Sequence, residues 1–178
     1  MGVQRKLWVD EATHMLHFYG QTFPCDRDIE AALAWENYAL LLSSDTDALC
    51  LWDSEGLVRL TTVGVYPQDM GILGNQVIVC GGADGKLHLL ALPDLTESAE
   101  ISVPGMPERL CIVEDMIFIL TLMVEPEVHT ALLRLSYGQV ESLRTFTGIP
   151  EAIAADKGGL WIAVSEGVTR LLWTEIGT

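Results

Sequence analysis

The stretch IPEAIAADKGGLWIAVSEGVTRLLW, residues 149–173, runs in a fixed order: a proline, an acid, a short apolar run, a longer one, a glycine turn and a third apolar run. The same opening recurs upstream. FPCDRDIEAAL begins at Phe23, YPQDMGIL at Tyr66, MPERLCIV at Met106 and IPEAIAA at Ile149. Each carries a proline (Pro24, Pro67, Pro107, Pro150) with an acid within two residues (Asp26, Asp69, Glu108, Glu151). The prolines stand 43, 40 and 43 residues apart.

A repeat of roughly 20–50 residues indicates a solenoid, a propeller or an array. The interior of each unit decides among them. Second runs follow the openings: YALLLSS (38–44), QVIVCGG (76–82), MIFILTL (116–122) and GLWIAVS (159–165). Third runs follow those: ALCLWD (48–53), KLHLLA (86–91), TALLRL (130–135) and VTRLLW (168–173). Turn-like segments separate them, and Ala83-Asp84-Gly85 carries the Asp-Gly signal of a tight hairpin. More polar fourth runs close three units at 57–64, 97–105 and 140–148. The second runs are apolar throughout rather than alternating, as a strand reads when both faces of its sheet are covered. The polar fourth runs suit an outer edge. The segment DIEAALAWENYALLL (28–42) prefers helix by local propensity, but register with the other units assigns it to two strands. The fold class is therefore all-β: a β-propeller of four-stranded antiparallel blades, about four per chain.

At Leu51-Trp52-Asp53 the chain resembles the WD40/YVTN-like β-propeller superfamily, since a third strand there ends in Trp-Asp. Leu7-Trp8-Val9-Asp10 is a looser echo. The other third strands end Leu-Ala, Leu-Ser and Trp-Thr, and the Gly-His element is absent, so the resemblance implies the architecture without a particular family.

One domain spans 1–178, with units at about 24–66, 67–106, 107–149 and 150–178, the last completed by 1–23. The C-terminal unit supplies three strands, and residues around 15–23 supply the fourth. The segments 4–10 and 168–173 both read as third strands, which leaves one surplus. Closure within one chain gives a four-bladed ring; closure between two chains gives an eight-bladed two-fold homodimer, and the length of the repeat favours the dimer.

The formal charge of −15 argues against nucleic acid and anionic membranes, which need a basic footprint. No apolar segment follows the basic residues of the N-terminus, and the longest apolar run (116–124) falls far short of the ~20 residues that span a bilayer, so a cytoplasmic protein is expected. Cys25, Cys50, Cys80 and Cys111 are widely spaced and read as reduced, buried thiols.

No nucleotide, zinc-protease or serine-hydrolase motif is present, and GGADGK (81–86) reads as a hairpin turn rather than a phosphate loop. His14, His17, His88 and His129 fall in different units, so no metal site and no cofactor is expected; His88 reads as a strand histidine with a hydrogen-bonded ring. The five tryptophans read as wedges between blades. The loop acids divide evenly between the two faces of the ring, so charge does not single out either one. The expected function is a non-catalytic binding or scaffold protein that takes a protein or peptide on a ring face or in the axial channel. The alternative is a small-molecule hydrolase or lactonase with its site on the axis. In either case the binding candidates are Asp26, Arg27, Asp69, Glu108, Arg109 and Glu151, at the blade-to-blade junctions.

Overall fold

The computed structural model describes residues 7–25 and 29–177. These form eighteen strands in five antiparallel sheets. The first sheet holds β1 (Leu7–Asp10), β2 (Met15–Phe18) and β3 (Gln21–Pro24). The second holds β4 (Ala31–Trp35), β5 (Tyr38–Ser43), β6 (Ala48–Trp52) and β7 (Leu57–Thr62). The third holds β8 (Asp69–Leu73), β9 (Gln76–Cys80), β10 (Lys86–Ala91) and β11 (Thr96–Ser102). The fourth holds β12 (Met106–Val113), β13 (Met116–Met123), β14 (His129–Ser136) and β15 (Gln139–Thr147). The fifth holds β16 (Pro150–Asp156), β17 (Gly159–Val164) and β18 (Gly167–Leu172), followed by a 3-10 turn at Trp173–Glu175.

Four apolar cores lie between the five sheets, and the second strands feed them from both faces. In β5, Ala39 and Leu41 enter the core shared with the first sheet, while Leu40 and Leu42 enter the core shared with the third. In β9, Val77 and Val79 point back to the second sheet, and Ile78 and Cys80 point forward to the fourth. In β13, Ile117 and Ile119 point back, and Phe118 and Leu120 point forward to the fifth sheet. This explains why 38–43 is a strand despite its helical propensity. A 3.6-residue period cannot send successive residues into two opposite cores, whereas the two-residue period of a strand does so automatically. The turn between β4 and β5 falls at Glu36, in the left-handed region at φ 50°, and the flanking Trp35 and Tyr38 rings stack at 5.7 Å.

The closure of the last unit differs from expectation. Within the chain, residues 7–24 hydrogen-bond among themselves and not with the sheet of 150–172, and β18 remains an edge among the described residues. The cause is Tyr19-Gly20. Their φ values of 47° and 82° have the signs of a type I′ turn, which folds 15–24 back into two strands instead of one. Tyr137-Gly138, at 51° and 76°, makes the same turn between β14 and β15. By that correspondence β2 and β3 take third and fourth positions and β1 takes the second. Leu7–Asp10 is thus not a surplus third strand, and the count is five sheets, two of them three-stranded, rather than four complete blades.

Cys25, Cys50 and Cys80 are buried, Cys111 is half-buried, and none of the four is in a disulfide. No helix among the described residues is long and apolar enough to cross a membrane.

Candidate functional site

β4, β8, β12 and β16 lie successively against one another, so the starts of β8, β12 and β16 bring three of the proline–acid motifs side by side. Gly71 permits the close approach of β8 to β12: a Cβ there would stand 2.6 Å from Leu110 Cδ1. The acid of the motif has a structural place. The register of β12 against β13 slips between Pro107 and Arg109, and that of β16 against β17 slips between Pro150 and Ala152. Glu108 and Glu151 are therefore the extra residues of two equivalent β-bulges, which bend a strand and re-aim a side chain.

Asp69 and Arg109 tie these strands together. Leu110 N donates to Asp69 Oδ2 at 2.9 Å, and Met70 N donates to Oδ1 at 2.8 Å. Burial pushes the Asp69 carboxyl above its ordinary pKa and outweighs those two amide bonds and the nearby Arg109 charge. Arg109 Nε donates to Glu151 O at 2.8 Å, and its Nη1 donates to Glu108 O at 2.8 Å and to Gln68 O at 3.4 Å. One guanidinium thus satisfies carbonyls from three neighbouring sheets. Arg109→Ala is expected to lower stability by about 1–3 kcal/mol, read as a shift in the urea midpoint. Arg109→Lys should restore little of it, because an ammonium lacks the planar fork.

Glu108 has an uncommitted side chain at this mouth. It is half-buried, and its carboxylate takes no hydrogen bond from a described residue. Burial raises its pKa against the pull of Arg109. Glu151 is exposed, and its backbone carbonyl, rather than its carboxylate, meets Arg109. The structure therefore brings Asp69, Glu108, Arg109 and Glu151 together; Asp26 and Arg27 lie outside the described residues.

A second cluster bears out His88 as a strand histidine with a hydrogen-bonded ring, with partners the sequence did not name. His88 on β10 is 5% exposed, and its two ring nitrogens face carboxylates: Nε2 lies 2.6 Å from Asp84 Oδ2, and Nδ1 lies 2.6 Å from Glu97 Oε1. Glu100 Oε1 lies 3.8 Å from Nδ1, and Glu100 also pairs with Lys86. A ring that meets a carboxylate at each nitrogen carries a proton on both. The ligand atoms of His88, Glu97 and Glu100 lie within 4.8 Å of one another, a spacing a cation could bridge. Here the imidazolium and Lys86 offset two of the three carboxylates. The Asp84-Gly85 turn is visible in the sequence. The register of β10 on β11, which slips between Leu89 and Leu90 and delivers Glu97, is not.

The tryptophans divide. Trp35, Trp52 and Trp173 pack against apolar cores, whereas Trp8 and Trp161 are 40% and 42% exposed, on the first and last sheets.

No protein-family model and no curated protein matches the sequence. Similarity to solved structures is clear. The chain resembles the computationally designed Ika4 protein at 14% identity and TM-score 0.64, covering 83% of this chain and 92% of that one. It resembles the designed Ika8 protein at 16% identity and TM-score 0.63, covering 85% of this chain and 47% of that one. It also resembles the dihydro-heme d1 dehydrogenase NirN at 14% identity and TM-score 0.72, over 93% of this chain and 41% of that one. At such identities the likeness shows the fold alone. With the five antiparallel sheets, it shows a propeller-like all-β protein.

Proposed function

We propose that the chain is a non-catalytic binding module of the WD40/YVTN-like kind, and that it takes a basic peptide segment at the mouth formed by the starts of β8, β12 and β16. The observation that carries this reading is the division of labour there. Asp69 and Arg109 are occupied by backbone groups, whereas the carboxylates of Glu108 and Glu151 stand at two equivalent bulges with no hydrogen bond from a described residue. The formal charge of −15 would steer a cationic segment toward the protein.

The alternative is an enzyme of the hydrolase or lactonase type. It draws on the raised pKa values of Asp69 and Glu108, since displaced carboxyls mark functional sites as well as structural ones. Against it stands the fixed role of Asp69. Both of its oxygens accept backbone amides, which holds the carboxylate in place and leaves it poorly suited to moving a proton.

The test is a titration of the protein with an oligolysine peptide and with an oligoglutamate control. Saturable binding of oligolysine, weakened severalfold by Glu108→Gln together with Glu151→Gln and untouched by Glu55→Gln, supports the reading. Equal binding by all three proteins would show a diffuse charge effect and end it.

A further inference from the structure

In the three four-stranded sheets the second strand delivers alternate residues to opposite cores; in the last sheet it does not. In β17, Leu160, Ile162 and Val164 enter the core shared with the fourth sheet. The residues between them, Trp161 and Ala163, belong to none of the four cores. The register places Ala154 and Arg170 beside Trp161, and Ala152 and Val168 beside Ala163, on one uncovered face. Val168 is 68% exposed and Leu172 46%, an apolar surface on a strand whose sequence is that of a doubly covered one.

The first sheet has the matching vacancy. Leu16 and Phe18 of β2 enter the core shared with the second sheet. Met15 and His17 face the other way, and the His17 ring stacks on Trp8 at 3.7 Å with an interplanar angle of 3°. The row of five sheets thus has a forward face open at its last member and a backward face open at its first. No apolar core joins the two among the described residues.

We propose that the open face of the last sheet packs on the open face of the first sheet of a second copy, so that two chains close one ring. The packing would continue the four sheet-to-sheet contacts already present within the chain. One copy offers each face once, so two copies related by a two-fold axis satisfy both pairs and leave no end open. The contact would centre on Trp161 and Trp8, large aromatic groups of the type that dominate interfaces. Trp161 is held for that role: its Nε1 donates to Asp156 Oδ2 at 2.9 Å, and Arg170, paired to the same carboxylate, lies over its ring at 5.1 Å.

The experiment is solution mass by light scattering across a dilution series, at about 0.15 M salt so that like charge is screened. The mass of two chains is expected for the wild-type protein. Val168→Asp and Met15→Asp should each give the mass of one chain with unchanged far-ultraviolet circular dichroism. Mixing the two variants should restore a two-chain species, because one intact pair of faces remains between them. A wild-type mass of one chain at every concentration overturns the proposal. So does a two-chain mass that Val168→Asp leaves intact, since the contact would then lie elsewhere. If a variant loses its folded spectrum, the difference in tryptophan emission between the wild type and Trp161→Phe decides: a blue shift of that difference with rising concentration supports burial of this face, and a constant one refutes it.

Discussion

Ile117→Asp is expected to abolish cooperative folding. Ile117 is 4% exposed in β13, within the core that also holds Ile78, Leu110, Ile119 and Leu133 from the third and fourth sheets. The variant loses the transfer energy of the isoleucine and places a carboxyl where no partner awaits it. The protein would have to bury a charge or hold that group protonated at neutral pH, and either course costs several kcal/mol. A domain of this size has about 5–15 kcal/mol in total. Because one core joins two sheets, the damage would not stay local. The contrast is Leu57→Asp on the outer strand β7, where the side chain is already 50% exposed and the cost should be within about 0.5 kcal/mol. Thermal melts of both variants check the pair. An Ile117→Asp protein that melts like the wild type would mean that β13 is not covered on both faces.

The same two-sided covering explains how much of the fold is legible in the sequence. Runs such as QVIVC and MIFIL carry no alternation, and that absence is the signal, because each successive residue has its own core to enter. The proline–acid motif is equally legible as punctuation, and at Pro107 and Pro150 it marks the bulge that opens an inner strand. What misleads is the N-terminal segment. MLHFYGQTFP reads as one fourth strand until Tyr19-Gly20 is recognised as the twin of Tyr137-Gly138, and the left-handed φ at both residues makes it a hairpin. The binding candidates were legible by position but not by role. The repeat places Asp69, Glu108, Arg109 and Glu151 at successive blade-to-blade junctions, yet only the register reveals that Arg109 reaches backbone carbonyls while the carboxylates of the two bulges take no hydrogen bond from a described residue. The His88 ring and the Asp84-Gly85 turn were legible, but the approach of Glu97 was not, because it comes from a partner strand whose slip no sequence rule gives.

That cluster sets a pH dependence that can be measured. Burial alone would lower the His88 pKa, but the hydrogen bonds to Glu97 and Asp84 and their charges outweigh it and hold the imidazole above its ordinary value. A group whose pKa is raised on folding stabilises the native state fully below its unfolded pKa, about 6.5 for histidine, and loses that contribution as pH rises through the folded value. The groups that face the ring are Asp84 in the turn before β10 and Glu97 and Glu100 on β11, with Lys86 pairing Glu100 from the ring's own strand. A neutral ring has one N–H, so deprotonation forces one carboxylate to give up its bond and leaves the acids repelling one another. The urea midpoint should therefore fall between pH 6 and about 8, with the largest loss of protection from hydrogen exchange in β11. The scan stops there because Cys80 and Cys111, whose thiols burial pushes upward, add a loss of the same sign once thiols of the unfolded chain begin to ionise. His88→Ala should be the costliest change at any polar residue named here, about 2–4 kcal/mol at pH 6, since it removes a buried ring and leaves its carboxylates unpaired. It should also flatten the slope with pH. A slope unchanged by the substitution would assign the titration to another group and leave His88 a packing residue.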